Sequence, residues 1–192
     1  ESTETDNSAI NREINMAIIK KNMILDEVLE TWQSALGHDF IAYKNHCYRV
    51  FNFYAALIAK TPMNMDKGAI AIAFHDLGIW SHQTFDYLAP SEQLAREYLQ
   101  NDGHAEWIDE VVAMIANHHK VRAYLNNPFV EAMRKADWID VSLGNMRFGL
   151  DKSYIQSVKD AFPNEGFHQR LVELSAKHIN KNPLKPLPMF KW

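Results

Sequence analysis

Two neighbouring polar residues of this sequence follow a stretch that should be buried. His75 and Asp76 come directly after residues 69–74, a run that is apolar on every side if it is helical. No Lys or Arg lies near the end of this run to pair the Asp76 carboxylate, and an unpaired buried carboxylate is costly. Asp76 is therefore predicted to find its partner in a distant part of the chain.

Further polar residues share helical stripes with hydrophobic ones. If the segment is helical, His46 lies on the same face as Val50, Phe53 and Leu57, and Asp137 lies on the same face as Val130, Met133 and Val141. The stripes of His118 and His119 contain Ile108, Val111, Val112 and Ile115. One such residue is usually a core polar group with hydrogen bonds. Several that converge are more easily explained by a shared divalent cation.

The predicted metal ligands are His46, His75, Asp76 and Asp137, with Asp140, one turn after Asp137, as the alternative acid. Two imidazoles and two carboxylates suit one divalent ion such as Mn, Fe, Co, Ni, Zn or Mg. Four protein ligands leave two octahedral positions open for water and substrate, which is what a catalytic metal needs.

With these residues in place, the chain resembles the HD superfamily over roughly residues 40–143. The matching segments read "NHCYRV" with His46, "IAFHDLGIW" with His75 and Asp76, and "RKADWIDV" with Asp137. The resemblance implies an α-helical fold, a bound divalent metal and, most often, phosphohydrolase activity on nucleotides or other phosphate compounds.

The same resemblance implies roles for neighbouring residues. The metal would activate a water whose proton Asp76 could steer or accept, and His118 and His119 would bind substrate or donate a proton. Nearby cations would neutralise charge on the phosphoryl group. In order of preference these are Arg49 and Lys120, each close in sequence to a site histidine, then Arg122 and Lys135.

Other activities within the same fold stay open. Some relatives hold a second metal, as di-iron oxygenases do, and the candidate ligands here are His82, His104, His118 and His119. His104 and His118 would lie about 21 Å apart on one helix, too far to share a metal pair. The further alternatives are a hydrolase resembling cyanamide hydratase and a non-catalytic metal-binding HD protein.

The composition predicts an all-α fold. Among 192 residues there are only seven Gly and seven Pro, which favours helices over a many-stranded sheet. We expect a disordered segment at residues 1–8, one HD-type helical domain at 9–181 and a Pro-rich tail at 182–192. Met189, Phe190 and Trp192 of the tail should dock on the body or on a second subunit, so a homodimer is open.

Hydrophobic periodicity predicts helices over about residues 9–35 (in one or two pieces), 39–60, 66–77, 91–101, 104–120, 127–143, 151–161 and 166–180. Gly78 is predicted to end the helix before it, and Ser91 to cap the one after it. The loop 79–90 between them could form a pocket wall or lid, or pack into the core, through Trp80, Phe85, Asp86 and Tyr87.

Charge and cysteine usage restrict the partners. The net charge of −4 argues against a nucleic-acid polymer, and a small, phosphorylated substrate is expected instead. The single Cys47 cannot form an internal disulfide, which favours the cytoplasm. No apolar run is long enough for a membrane span, the start lacks a signal-peptide pattern, and the absent initiator Met suggests trimming or processing.

Overall fold

A computed structural model describes residues 17–184 and 186–190, and these residues form an all-α structure without a β-strand. The helices are α1 (Met23–Thr31), α2 (Gln33–Leu36), α3 (Phe40–Leu57), α4 (Pro62–Phe74), α5 (Gly78–Ser81), α6 (Leu88–Asn101), α7 (Ile108–Asn117), α8 (Pro128–Val141), α9 (Lys152–Ala161) and α10 (Phe167–Lys181). Short 3-10 turns precede α3 and α7. Among the residues described, none of the helices is long and apolar enough to span a bilayer.

Local side chains determine where three of these helices begin. The Asn22 side chain accepts the backbone N–H of Leu25 at the start of α1, and the Thr61 hydroxyl accepts that of Asn64 at the start of α4. Asn127 caps α8 by accepting two backbone N–H groups, as its position before Pro128 predicts. These caps satisfy donors that a helix cannot satisfy within itself.

Two helix boundaries near the chain start and the site differ from expectation. Residues 1–16 lie outside the described part, and residues 17–22 are not helical because the Asn22 cap starts α1 only at Met23. Helix α4 begins at Pro62 and ends at Phe74, so His75 and Asp76 lie on the turn that follows it.

Gly78 and Ser91 have different roles from those predicted. Gly78 begins α5 instead of ending α4, and Ser91 lies inside α6, where its Oγ accepts the Gly78 N–H at 3.0 Å. A Cβ on Gly78 would lie 2.5 Å from the Tyr87 carbonyl oxygen. Only glycine therefore allows the turn after α4 to approach the backbone of Tyr87 so closely.

Helix α3 lies at the centre of the bundle, and its most extensive packing is against α8. It is buried on nearly every side, with Tyr43, Val50, Phe51 and Phe53 all inaccessible to solvent. The apolar run of α4 packs between α1, α3 and α7, and α7 in turn packs on α6 and α8. The side chains that point inward from α3, α8 and the ends of α4 and α7 consequently meet in one region.

The tail returns to the body, one of the two predicted positions. Met189 is 4% exposed and packs with Ile79, Phe85, Tyr87 and Leu88. Trp192 lies outside the described residues. The tail thus covers the side of the bundle formed by the segment after α4.

The close contact of α3 with α4 depends on Gly68, where a Cβ would lie 2.1 Å from Tyr54 Cε1. We expect Gly68→Ala to lower the free energy of unfolding by about 1–3 kcal/mol, because overpacking outweighs the gain of about 1 kcal/mol in helix propensity. Urea denaturation measures this. In a double-mutant cycle, Tyr54→Leu should remove most of the penalty; a Gly68→Ala protein at least as stable as the wild type would contradict the close contact.

Candidate metal centre

Six ionisable side chains from four parts of the chain converge inside the bundle. His46 comes from α3 and Asp137 from α8; the turn after α4 supplies His75 and Asp76, and the turn after α7 supplies His118 and His119. All are buried except His119, whose side chain is 12% exposed. We call these six residues the metal cluster. It contains all four predicted ligands and both accessory histidines.

One side of the cluster is formed by the four predicted ligands. The Nε2 atoms of His46 and His75 lie 3.0 Å apart. Asp76 Oδ2 lies 3.7 Å from His46 Nε2 and 3.3 Å from His75 Nε2. Asp137 Oδ1 is 3.7 Å from each of these nitrogens. Nitrogen and oxygen atoms therefore surround one point from two imidazoles and two carboxylates.

The other oxygen of each carboxylate faces the second pair of histidines. Asp76 Oδ1 lies 3.3 Å from His118 Nε2, and Asp137 Oδ2 lies 3.4 Å from His119 Nδ1. The two acids thus stand between two pairs of imidazoles, so a second set of donor atoms lies beside the first.

Each imidazole is oriented by a hydrogen bond on its outer nitrogen. His75 Nδ1 and His118 Nδ1 donate to the carbonyls of Ile72 and Ile115, both at 2.6 Å. A carbonyl can only accept, so the proton is on Nδ1 and Nε2 is the nitrogen turned to the cluster. Hydrogen bonds of this kind fix ring orientation and tautomer in metal-binding histidines.

His46 and His119 follow the same rule with side-chain partners. His46 Nδ1 donates to Asp140 Oδ2 at 2.7 Å, and His119 Nε2 lies 2.8 Å from the Tyr87 hydroxyl. In both rings the opposite nitrogen faces Asp137. All four imidazoles of the cluster are therefore anchored outside and turned inward.

The donor atoms fit a divalent ion. Two nitrogens that each lie about 2.1 Å from one ion are about 3.0 Å apart when their bonds to the ion form a right angle. This distance matches the separation of the His46 and His75 Nε2 atoms. Asp76 Oδ1, both Asp137 carboxylate oxygens and His118 Nε2 are buried and have no hydrogen-bond partner among the described residues. Buried polar atoms of this kind require a partner, and an ion would provide it.

The charges of the cluster partly compensate one another in the protein alone. Burial lowers the pKa of His75, but Asp76 and Asp137 outweigh this effect and raise the pKa to about 10. Burial raises the pKa of the Asp76 carboxyl, yet the charged His75 and the nearby His118, whose Nε2 lies 3.3 Å from Asp76 Oδ1, hold it well below its usual value. Burial also lowers the pKa of His46, whose ring is therefore neutral. The proton on His75 therefore supplies positive charge at the place where a metal ion would supply it.

Asp140 lies behind the cluster, and Arg49 pairs with it. The Arg49 guanidinium binds both Asp140 oxygens and donates to the Phe162 carbonyl, and it is 2% exposed. The expectation that Arg49 contacts the phosphoryl group is therefore wrong, because its donors are already used in the core. Asp140, the alternative ligand, holds His46 from outside, and Asp137 is the acid that enters the cluster.

Most of the remaining candidates lie elsewhere. Lys135 pairs with Glu131 at 3.7 Å, and Arg122 is exposed on the loop before α8. The backbone carbonyl of Lys120 accepts hydrogen bonds from the Arg134 and Trp138 side chains. These bonds do not test whether the Lys120 ammonium group binds phosphate. That role stays a prediction.

Neither of the two additional histidines suggested for a second metal joins the cluster. His82 is exposed and bonds to the Ser81 hydroxyl, and His104 stacks on Trp107 at 4.0 Å. A second ion would therefore depend on His118 and His119 together with the shared carboxylates.

Aromatic rings enclose the cluster, and periodicity predicted none of them there. Phe167 stacks on the His46 ring at 4.1 Å, and the Tyr43 ring lies 6.2 Å from that of His75. Tyr87 is buried against His119, while Phe190 of the tail lies 5.4 Å from the His119 ring. The loop position of Tyr87 gave it no periodic signal, although the sequence marked that loop as a candidate wall.

Comparison of the chain with protein-family models, with curated proteins and with solved structures gives no significant match. What the cluster binds must therefore be inferred from its own donor atoms.

Metal binding should release about one proton per ion at pH 7, because the ion needs the Nε2 lone pair of His75, which is protonated when its pKa is about 10. Apparent affinity should rise about tenfold per pH unit from pH 6 to 9. Calorimetry in buffers of different ionisation enthalpy measures the proton. His82→Asn, which changes an exposed ring, should keep the slope; an affinity independent of pH would contradict a protonated His75.

Phe190 covers the most exposed ring of the cluster, so its removal should speed metal loss. We expect a chelator to remove metal from Phe190→Ala about 5–30-fold faster than from the wild type. This is the effect expected if the free energy that keeps the tail packed on the cluster falls by about 1–2 kcal/mol. Stopped-flow absorbance with a chromophoric chelator measures the rate. Leu184→Ala is the matched control, since that tail residue is 97% exposed. Equal rates in all three proteins would show that metal does not leave past the tail.

Proposed function

We propose that this chain is a metal-dependent hydrolase of the HD type that cleaves a small phosphate ester or nucleotide. The observation that carries the proposal is that four imidazoles all turn inward toward two carboxylates. Three oxygens of these carboxylates are buried without a hydrogen bond. The order of the residues along the chain, a His, a His-Asp pair and a distal Asp, supports the HD assignment through the resemblance stated above.

His46, His75, Asp76 and Asp137 would hold the ion. A bound divalent ion lowers the pKa of its water and polarises a phosphoryl oxygen. The depressed pKa values of Asp76 and Asp137 keep both carboxylates ionised at neutral pH, so Asp76 can accept a hydrogen bond from the water and orient it. The anchored rings of His46 and His75 hold their nitrogens in place without rearrangement.

His119 and Tyr87 face the side of the cluster nearest to solvent. Burial and the neighbouring His118 lower the pKa of His119 to about 4, so its ring is neutral at pH 7. Burial, followed by the charges of Asp76 and Asp137, keeps the pKa of Tyr87 well above its usual value, so its hydroxyl stays protonated. At neutral pH His119 is therefore suited to bind substrate through a hydrogen bond, and Tyr87 O–H donates to its Nε2 when Nδ1 carries the proton.

A di-iron oxygenase is the second candidate, and a specific observation favours it. Asp76 and Asp137 each turn one oxygen to His46 and His75 and the other oxygen to His118 or His119. Shared carboxylates between two pairs of imidazoles are suited to two ions as well as to one.

Metal analysis of the purified protein, followed by assays with that metal, tests the proposal. We expect turnover of at least one phosphate ester or nucleotide in a broad panel, without oxygen consumption. Asp137→Asn should lose both metal and turnover while keeping its helical circular dichroism, because one cluster carboxylate is neutralised. Asp109→Asn, an exposed acid in the first turn of α7, is the matched control and should keep both.

The opposite results distinguish the rivals. Oxygen uptake with two irons per chain would favour the oxygenase, and full phosphatase turnover in Asp137→Asn would exclude the metal cluster as its source. Bound metal without any turnover would leave a metal-binding protein.

A further inference from the structure

A cavity of about 720 Å³ opens beside α10, on a different part of the surface from the metal cluster. Its walls come from residues 35–39, from segment 79–86 and from α10 between Arg170 and Lys181, with Pro188 of the tail at its edge. No residue of the metal cluster lines it. The volume is in the range of about 300–1,000 Å³ that small-molecule sites occupy.

One wall of this cavity is cationic. Lys177 and Lys181 follow Arg170 by 7 and 11 residues, which places all three on one face of α10. Arg170 is already bound to Asp39 at 2.9 Å and to Glu173 at 3.3 Å. Lys177 and Lys181 form no ion pair within the described part of the chain.

The balance of charge at the cavity differs from that of the whole chain. Among the described residues of its lining, the three cations Arg170, Lys177 and Lys181 outnumber the two acids Asp39 and Asp86, and Glu173, outside the lining, also pairs with Arg170. The chain as a whole carries −4. The cavity is therefore a locally positive region on an acidic protein, and such a region attracts anions.

Part of the wall formed by segment 79–86 is apolar and held in place, although Gln83, Thr84 and Asp86 of the same segment are polar. Ile79 and Phe85 are 5% and 9% exposed, and the Trp80 ring lies half-buried between them and Tyr43. Trp80 Nε1 donates to Asp39 Oδ2 at 2.9 Å, the same oxygen that Arg170 Nε binds. A flat ring fixed in this way can receive another ring without ordering itself first.

We propose that this cavity binds a small aromatic anion, with the ring of the ligand against Trp80 and its phosphate, sulfonate or carboxylate group at Lys177 and Lys181. The site is separate from the metal cluster because the Tyr43 ring stands between Trp80 and His75, at 4.8 Å from one and 6.2 Å from the other. The proposal is independent of the reaction at the metal centre, since it requires neither metal nor turnover.

Isothermal titration calorimetry with 1-naphthalenesulfonate, which contains no phosphoester to hydrolyse, tests the site. We expect saturable one-to-one binding to the full chain. The double variant Lys177→Glu, Lys181→Glu should weaken it at least about tenfold, and added salt should weaken it further. Lys20→Glu, Lys152→Glu is the matched control, because it changes the net charge equally at two exposed lysines outside the cavity. Its affinity should stay within about twofold of wild type.

Two further arms locate the ligand. The neutral 1-naphthalenemethanol should bind more weakly than the sulfonate, since it lacks the anionic group. Asp137→Asn should bind the sulfonate as the wild type does. Absence of saturable binding, an equal loss in both lysine pairs, or a loss confined to Asp137→Asn would each overturn the proposal, the last by locating the anion at the metal cluster.

Discussion

Two carboxylates that share one buried space set the main constraint on this fold. Asp76 and Asp137 are 3% and 0% exposed, and their mutual repulsion in a medium of low dielectric constant must be compensated by positive charge nearby. In the protein alone the proton of His75 supplies part of that charge, while His46 stays neutral. A single proton cannot satisfy all the inward-facing oxygens, and the same groups could hold a doubly charged ion in its place.

The core is organised to hold these groups in position. Helices α3 and α8, which have the most extensive mutual packing, carry His46 and Asp137 inward. Behind them Asp140 joins His46 to Arg49, so an ion pair between the same two helices orients a ring of the cluster. Breaking one partner of such a buried pair leaves an uncompensated charge, and the cost of about 3–5 kcal/mol makes the orientation rigid. Stability and site geometry therefore depend on the same contacts.

Periodicity predicted the part of the site that helices determine. His46 and Asp137 share stripes with core residues, and a period of 3.6 is enough to turn them inward. The stripe of Asp137 favoured it over Asp140 but left Asp140 open, because both acids are buried and the packing of α3 against α8 decides which meets the cluster and which meets Arg49. The role of Arg49 was mispredicted for the same reason. Tyr87 lies on a loop, where its position depends on the close approach to Gly78 and not on a repeat.

Access to the enclosed cluster must come from the segment that is least costly to move. Displacing α3 or α8 would expose the main core, so its cost approaches that of global unfolding. The tail, by contrast, contributes only Met189, which is buried, and Phe190, which is partly buried, and full burial of such a side chain is worth about 1.5–3 kcal/mol. Part of that gain is offset by the conformational entropy that a released, non-helical segment regains. His119, the most exposed member of the cluster, lies beneath this segment, so the least costly opening leads to the ring that faces solvent first.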